Sequence, residues 1–184
     1  MIQQIDNTVL HFFGDIQIPV LNEIMIFVSA LGNAGIIWIA MSILFLLFKK
    51  TRRAGATMAI ALILGLLICN LTIKPLVARP RPFTMHELEL LIPKPSDFSF
   101  PSGHSVSSLG AGLSALIVLR KKGLPLFIFG TIIAVSRLYL QVHYFSDVLC
   151  GCILGCLFAV IANIIVKSVI NYFEKKGALN GKNG

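Results

Sequence analysis

The sequence predicts an all-α fold, a polytopic membrane bundle of six transmembrane helices whose first segment is weak enough to lie along the membrane instead. Three observations lead there. Of 184 residues, 56% are hydrophobic and 13% charged, and the mean hydropathy of +0.85 is too high for a water-soluble domain of this length. The apolar residues gather in runs that approach the roughly 20 residues needed to cross a hydrocarbon layer about 30 Å thick. Short clusters of lysine and arginine punctuate those runs and account for most of the formal net charge of +8.

Residues 7–31 are amphipathic and contain Asp15, Pro19 and Glu23, a pattern for an interfacial helix followed by a short, imperfect span. Gly32-Asn33-Ala34-Gly35 reads as a turn, and Ile36 to Phe48 as an apolar helix that stops at Lys49, Lys50, Arg52 and Arg53. Ala54 to Ile73 is the next span. Lys74-Pro75 ends it, and a proline-rich polar loop carrying Pro80, Pro82, Pro93, Pro95 and Pro101 runs to Ser102. Loops of that length are usually functional. Ser105 to Leu119 forms a span rich in small residues, closed by Arg120, Lys121 and Lys122. Leu124 to Leu140 follows, and a last span runs from near Phe145 to about Phe173, with a basic tail over 174–184 that includes Lys175, Lys176 and Lys182. The whole chain, 1–184, reads as one integral-membrane domain.

Cytoplasmic loops carry an excess of lysine and arginine. Setting Lys49 to Arg53, Arg120 to Lys122 and the tail inside is consistent with alternating spans, and it puts the loop from Lys74 to His104 and the short loop around His143 together outside. If the first segment lies on the surface, the N-terminus moves outside and the other five spans keep their orientation.

The same distribution argues against nucleic acid as a partner, because the basic residues sit between apolar runs with no aromatic interleaving. Cys69, Cys150, Cys152 and Cys156 all fall inside apolar stretches and read as small buried hydrophobes, with neither a disulfide nor a metal site expected. The N-terminus lacks the charged leader and cleavage site of a secretory signal. No cofactor is implied.

Basic residues on the outer side break the topological pattern and call for a reason. Lys74, six residues and Arg81-Pro82 bring two cations to the end of a helix and the start of a loop, an arrangement suited to gripping phosphate. Pro101-Ser102-Gly103-His104 opens a helix, where a hydroxyl and free amides can seat an anion beside a histidine. Ser136-Arg137, five residues, His143, three residues and Asp147 place a cation, an imidazole and a carboxylate between two spans, with His143 and Asp147 one helical turn apart.

In this order and spacing, the three stretches (74–82, 101–104 and 136–147) resemble the signature of the type-2 phosphatidic acid phosphatase family, whose fold is similar to that of glucose-6-phosphatase and the vanadium haloperoxidases. The resemblance implies a lipid phosphatase acting without metal. His143 would attack phosphorus and Asp147 would hold its ring. His104 would serve as general acid, then base. Lys74, Arg81 and Arg137, with Ser102 and the Gly103 amide, would bind the phosphoryl oxygens. The small size further resembles bacterial members that dephosphorylate undecaprenyl diphosphate, with phosphatidylglycerol phosphate and phosphatidic acid as alternative lipid substrates.

Taken singly, these residues have plainer readings. A lone histidine at a membrane interface is more often an anchor than a nucleophile. Arg79 reads as a solvated or headgroup-binding neighbour, Lys94 and His86 have no motif support, and Asp97, Glu87 and Glu89 read as residues of a solvated loop. Gly151 and Gly155 suggest close packing within the bundle. An anion channel or transporter, or a silent lipid-binding member, are the rival functions, and the clustering of charged residues at one end argues against transport.

Overall fold

The computed structural model describes residues 1–180, with side chains to Lys176, and every regular element among them is helical. The first segment divides in two, α1 (Ile2–Asp15) and α2 (Pro19–Leu31). Pro19 opens α2, where its missing amide hydrogen breaks no helical bond. A bend of 44° then separates α2 from α3 (Ile36–Leu47). The expected turn lies there, with Ala34 and Gly35 in the left-handed region at φ 50° and 67°.

α4 (Arg52–Leu64) does not end as a plain α-helix: Gly65–Ile73 is π-helical and leads into α5 (Lys74–Val77). Ala78, left-handed at φ 48°, stops the run. α6 (Pro82–Met85) is one turn within the irregular loop that reaches Ser102. α7 (Gly103–Leu119), a 3-10 turn at Arg120–Gly123, α8 (Leu124–Tyr139) and α9 (Phe145–Asn180) complete the order. α9 runs past Phe173 without a break, so Lys175 and Lys176 are helical; Lys182 lies outside the described residues.

All six segments expected to be helical are so. The runs Arg52–Met85 and Phe145–Lys176 are each long and apolar enough to cross a membrane, as are α2 and α3 taken together as one bent span. α7 and α8, with 17 and 16 residues, are shorter.

α7 stands in the middle, packed on α4, α8 and α9. Its small residues allow this. Gly110, Ala111, Gly112, Ser114 and Ala115 are all buried, and Gly155 of α9 sits so close that a Cβ there would lie 2.5 Å from the Val106 carbonyl oxygen. Gly151 is as tight, 2.8 Å from the Ser102 carbonyl, so this glycine pair packs within the bundle. Trp38 is fully buried beside Met58, Ala111, Ala115 and Ile133, and its indole donates to Ser108 Oγ at 2.9 Å, so α3 is tied to α7 by a hydrogen bond as well as by packing.

α1 stays at one end of the bundle. Its Asp6 accepts from the Ser146 amide at 2.8 Å, the Leu10 carbonyl accepts from Gln141, and Gln17, just beyond it, donates to the Tyr139 carbonyl. All of these partners belong to the turn between α8 and α9 or its edges. The helix therefore lies across that end.

Because the obstacle at Gly155 is backbone, it cannot rotate away. Gly155→Ala should force α7 and α9 apart and cost about 1–3 kcal/mol, typical of overpacking, seen as a lowered thermal midpoint in detergent.

Candidate active site

α5, the start of α7 and the turn from Leu140 to Tyr144 meet beneath α1. After α5 stops at Ala78, Pro80 and Pro82 hold the chain extended, and Arg81 has φ −81° and ψ 159°. Ser102 caps α7, its hydroxyl accepting from the Ser105 amide at 3.4 Å and the Ser105 hydroxyl at 2.9 Å. Gly103 and His104 are left on the first turn. Between α8 and α9, Gln141 adopts φ 54° and the chain reverses within a few residues, carrying His143 back toward the bundle.

Lys74, Arg81, Gly103, His104, Arg137 and His143 line one cavity of about 910 Å³. The other two expected site residues stand behind it. Asp147 is fully buried against His143, and Ser102 is fully buried with its side-chain oxygen accepting at the cap. Ser102 Oγ is the acceptor in both cap bonds, so it fixes the start of the helix while its own hydroxyl hydrogen is not used by them.

His143 Nδ1 lies 3.6 Å from Asp147 Oδ2, beyond a normal hydrogen bond. The Ser99 hydroxyl is 3.5 Å from that nitrogen and donates to the same carboxylate oxygen. On the other side, His143 Nε2 is 3.2 Å from Arg81 Nη1. A guanidinium only donates, so Nε2 is the unprotonated nitrogen and the ring proton sits on Nδ1, toward Asp147. Burial, reinforced by Arg81 and Arg137 and opposed by Asp147, pushes the imidazole down to about 3.

His104 is held by the bend between α2 and α3. Its Nε2 is 3.0 Å from Asn33 Oδ1, which fixes a proton on that nitrogen. Gly32 makes the approach feasible, since a Cβ there would lie 2.8 Å from His104 Cδ2 and 2.7 Å from Ile133 Cγ2.

The cations are buried and mostly engaged. Arg81 donates to the Val142 carbonyl at 2.7 Å, the Asp97 carbonyl at 2.8 Å and the Asp97 carboxylate at 2.6 Å; Lys74 pairs with the same carboxylate. Burial would raise the Asp97 carboxyl, but Lys74 and Arg81 outweigh it and hold it at about 2. Arg137 donates to Ser29, while its buried Nε has no partner among the described residues. No group of three or more histidine, cysteine or carboxylate side chains among them is placed to hold a metal.

Several residues here escaped the sequence reading. Asp97 is a partner of two cations, not a free loop residue. Arg79 is no solvated neighbour: it donates to Asp147 Oδ1 and, at 2.8 Å, to Asp6 Oδ2, and stacks over the Tyr144 ring at 4.2 Å. Burial disfavours its charge, yet Asp6 and Asp147 together raise its pKa. Asp6, Asn33 and Ser99 carry no local signal. The one available clue was Asp6 and its neighbour Arg79 as ionised groups beside apolar segments, which need partners.

Residues 54–170 match the PAP2 superfamily. The chain belongs to that superfamily. It is 37% identical over 144 residues to an undecaprenyl-diphosphatase of Sulfolobus acidocaldarius, covering 76% of this chain and 68% of that one. It is also 32% identical over 171 residues to undecaprenyl-diphosphatase BcrC of Bacillus subtilis, covering 85% and 88%. Its fold aligns with the crystal structure of a transmembrane PAP2-type phosphatidylglycerolphosphate phosphatase from Bacillus subtilis at TM-score 0.71 and 25% identity, over 91% of this chain and 87% of that one. With these relatives and its apolar helices, this PAP2 protein is a membrane-embedded lipid phosphatase, and the resemblance carried by the three motifs holds.

Asp147 depends on Arg79, whose side chain is only 26% exposed. Arg79→Ala should strand a buried carboxylate and destabilise the fold by on the order of 3 kcal/mol. Melting temperature and phosphate release should both fall, and Arg79→Lys should recover part of each.

Proposed function

We propose that this phosphatase hydrolyses undecaprenyl diphosphate to undecaprenyl phosphate at the extracytoplasmic face of the plasma membrane, by a metal-independent route through a phosphohistidine. The supporting observation is the shape of the cavity. From His143 and the cations it continues between α3 and α4 along Ile39, Ile43, Leu46, Leu62, Ile63 and Leu66, so a charged pocket and an apolar trough are one space. Ile39, Ile43, Ile63 and Leu66 are about half exposed, which opens the trough toward lipid. A long isoprenoid chain suits that wall, and a terminal phosphoryl group suits the cations.

The chemistry follows from the ring geometry. Nε2 of His143 attacks phosphorus while the bond from phosphorus to the departing oxygen breaks, and Nδ1–H, facing Asp147, stabilises the cationic ring that results. His104, entering as the imidazolium with its Nε2–H on Asn33, gives its Nδ1 proton to the leaving oxygen. Water then attacks the phosphohistidine, His104 takes its proton, the P–N bond breaks, and inorganic phosphate leaves. Lys74, Arg81 and Arg137 neutralise the charge that spreads over the non-bridging oxygens, a task that Mg²⁺ performs in other phosphoryl transfers.

The topology that fits is five crossings, by the bent α2–α3 pair, the α4–α5 run, α7, α8 and α9, with α1 lying on the outer surface over the site. Lys49 to Arg53 and Arg120 to Lys122 then lie inside.

Phosphate release by the detergent-purified protein in EDTA, from undecaprenyl diphosphate, phosphatidylglycerol phosphate and phosphatidic acid side by side, tests the reading. His143→Ala serves as the blank. Release should be greatest from undecaprenyl diphosphate and absent in the variant; a preference for phosphatidylglycerol phosphate would move the protein to the role of the aligned Bacillus enzyme. EDTA should leave the rate unchanged.

The pH profile carries a second expectation. His143 must be neutral to attack, and with its pKa lowered to about 3, protonation removes the nucleophile only as pH falls toward that value. kcat/KM should therefore show no acid limb from this residue near the ordinary histidine value of about 6.5. A single limb there that persists in Asn33→Ala, which frees His104, would contradict a desolvated His143. Arg137→Lys should lower kcat at least tenfold, since a point charge does not reproduce the guanidinium fork.

A further inference from the structure

Two of the cations needed for phosphate are already engaged by an anion of the chain itself. One carboxylate, that of Asp97, bridges Arg81 Nη2 at 2.6 Å and Lys74 Nζ. It lines the same cavity. The exposure on the two sides of the bridge is unequal: Lys74 and Arg81 side chains are 8% and 5% exposed, whereas that of Asp97 is 54% exposed. The cations are fixed by their surroundings, Arg81 by the Val142 carbonyl and by the backbone carbonyl of Asp97, neither of which depends on where the carboxylate points. The carboxylate instead stands in the irregular chain between α6 and α7 and can rotate into solvent without breaking a helix.

A carboxylate bridging two cations presents what one edge of a phosphoryl group would present, two oxygens sharing negative charge. Arg81 also touches His143 Nε2, so a phosphoryl group close enough for attack must compete with Asp97 for the same guanidinium. We propose that Asp97 is a specificity-determining residue, an internal anion that admits phosphate monoesters and diphosphates while turning away phosphodiesters. This rests on the phosphatase reading of the cavity and deepens it. Exchanging the carboxylate for a singly charged diester swaps one negative charge for another and gains little. A monoester dianion or a diphosphate brings additional charge to cations already stripped of water, where charge counts most. The trough opens toward lipid, whose phosphodiester headgroups would otherwise occupy the cations. Asp97 is held ionised by its two partners, so the competition persists across the working pH range.

The test is binding of methyl phosphate, a dianion at pH 8, and dimethyl phosphate, a monoanion, to the detergent-purified full chain and to Asp97→Asn, by titration calorimetry. Wild type should favour methyl phosphate by at least tenfold. Asp97→Asn should bind dimethyl phosphate at least tenfold more tightly than wild type does, with the preference for the dianion reduced at least fivefold. Weaker binding of both ligands by the variant would mean that Asp97 organises the cations without competing for them, and an unchanged preference would also overturn the proposal. Asp97→Glu keeps the charge and should keep the discrimination; its loss there, or equal binding of the two ligands by wild type, decides against the idea even where the asparagine variant does not fold. Because binding is read without turnover, absence of phosphate release in wild type would count against the phosphatase reading alone.

Discussion

Everything at the active end follows from the difficulty of keeping ionised side chains in an apolar bundle. Lys74, Arg79, Arg81 and Arg137 stand close to membrane-spanning helices, where an unpartnered charge is costly. The chain meets that cost with two bridging carboxylate arrangements, Asp97 between Lys74 and Arg81, and Asp6 and Asp147 flanking Arg79. Arg137 is the exception: it donates to Ser29, and its Nε has no partner among the described residues. It lines the cavity together with His143 and His104. Neutralisation and reactivity are therefore distributed among specific pairs, and the position of each helix end is set by which pair it must supply.

The division of labour between the two histidines has the same origin. His143 is enclosed between a guanidinium and a carboxylate, so its two nitrogens face opposite kinds of group and one tautomer is selected. His104 faces a neutral amide, Asn33, across a bend between helices. The first arrangement suits a nitrogen that forms a bond to phosphorus, the second a ring that exchanges protons. Both are held by elements distant in sequence, His143 by Arg81 and Ser99 of the chain between α5 and α7, and His104 by the bend between α2 and α3.

What could be read from the sequence was whatever repeats locally. The apolar runs mark the helices, the spacing from Lys74 to Arg81 marks the cation pair, and the four-residue spacing from His143 to Asp147 marks their proximity, although His143 sits in the turn before α9 and not on a helical face. Missing were the partners: Asp6 lies 73 residues from Arg79, Asn33 lies 71 from His104, and Ser99 lies 48 from Asp147. Such pairs leave no periodic trace, because packing creates them. Asp97 was misread for a related reason. A carboxylate in a proline-rich loop looks solvated unless the loop is known to fold back over the cations. The regularity of the α4 span was overestimated too, as π-helical geometry over Gly65–Ile73 has no compositional mark.

The clasp between α1 and the catalytic turn has a practical corollary for handling the protein. Asp6 is 1% exposed and holds both Ser146 and Arg79, with Arg79 in turn gripping Asp147. A label or reporter attached along α1 would therefore press on the turn that carries His143. The far turns of α9, more than twenty-five residues beyond Asp147, are the attachment point that leaves that turn undisturbed.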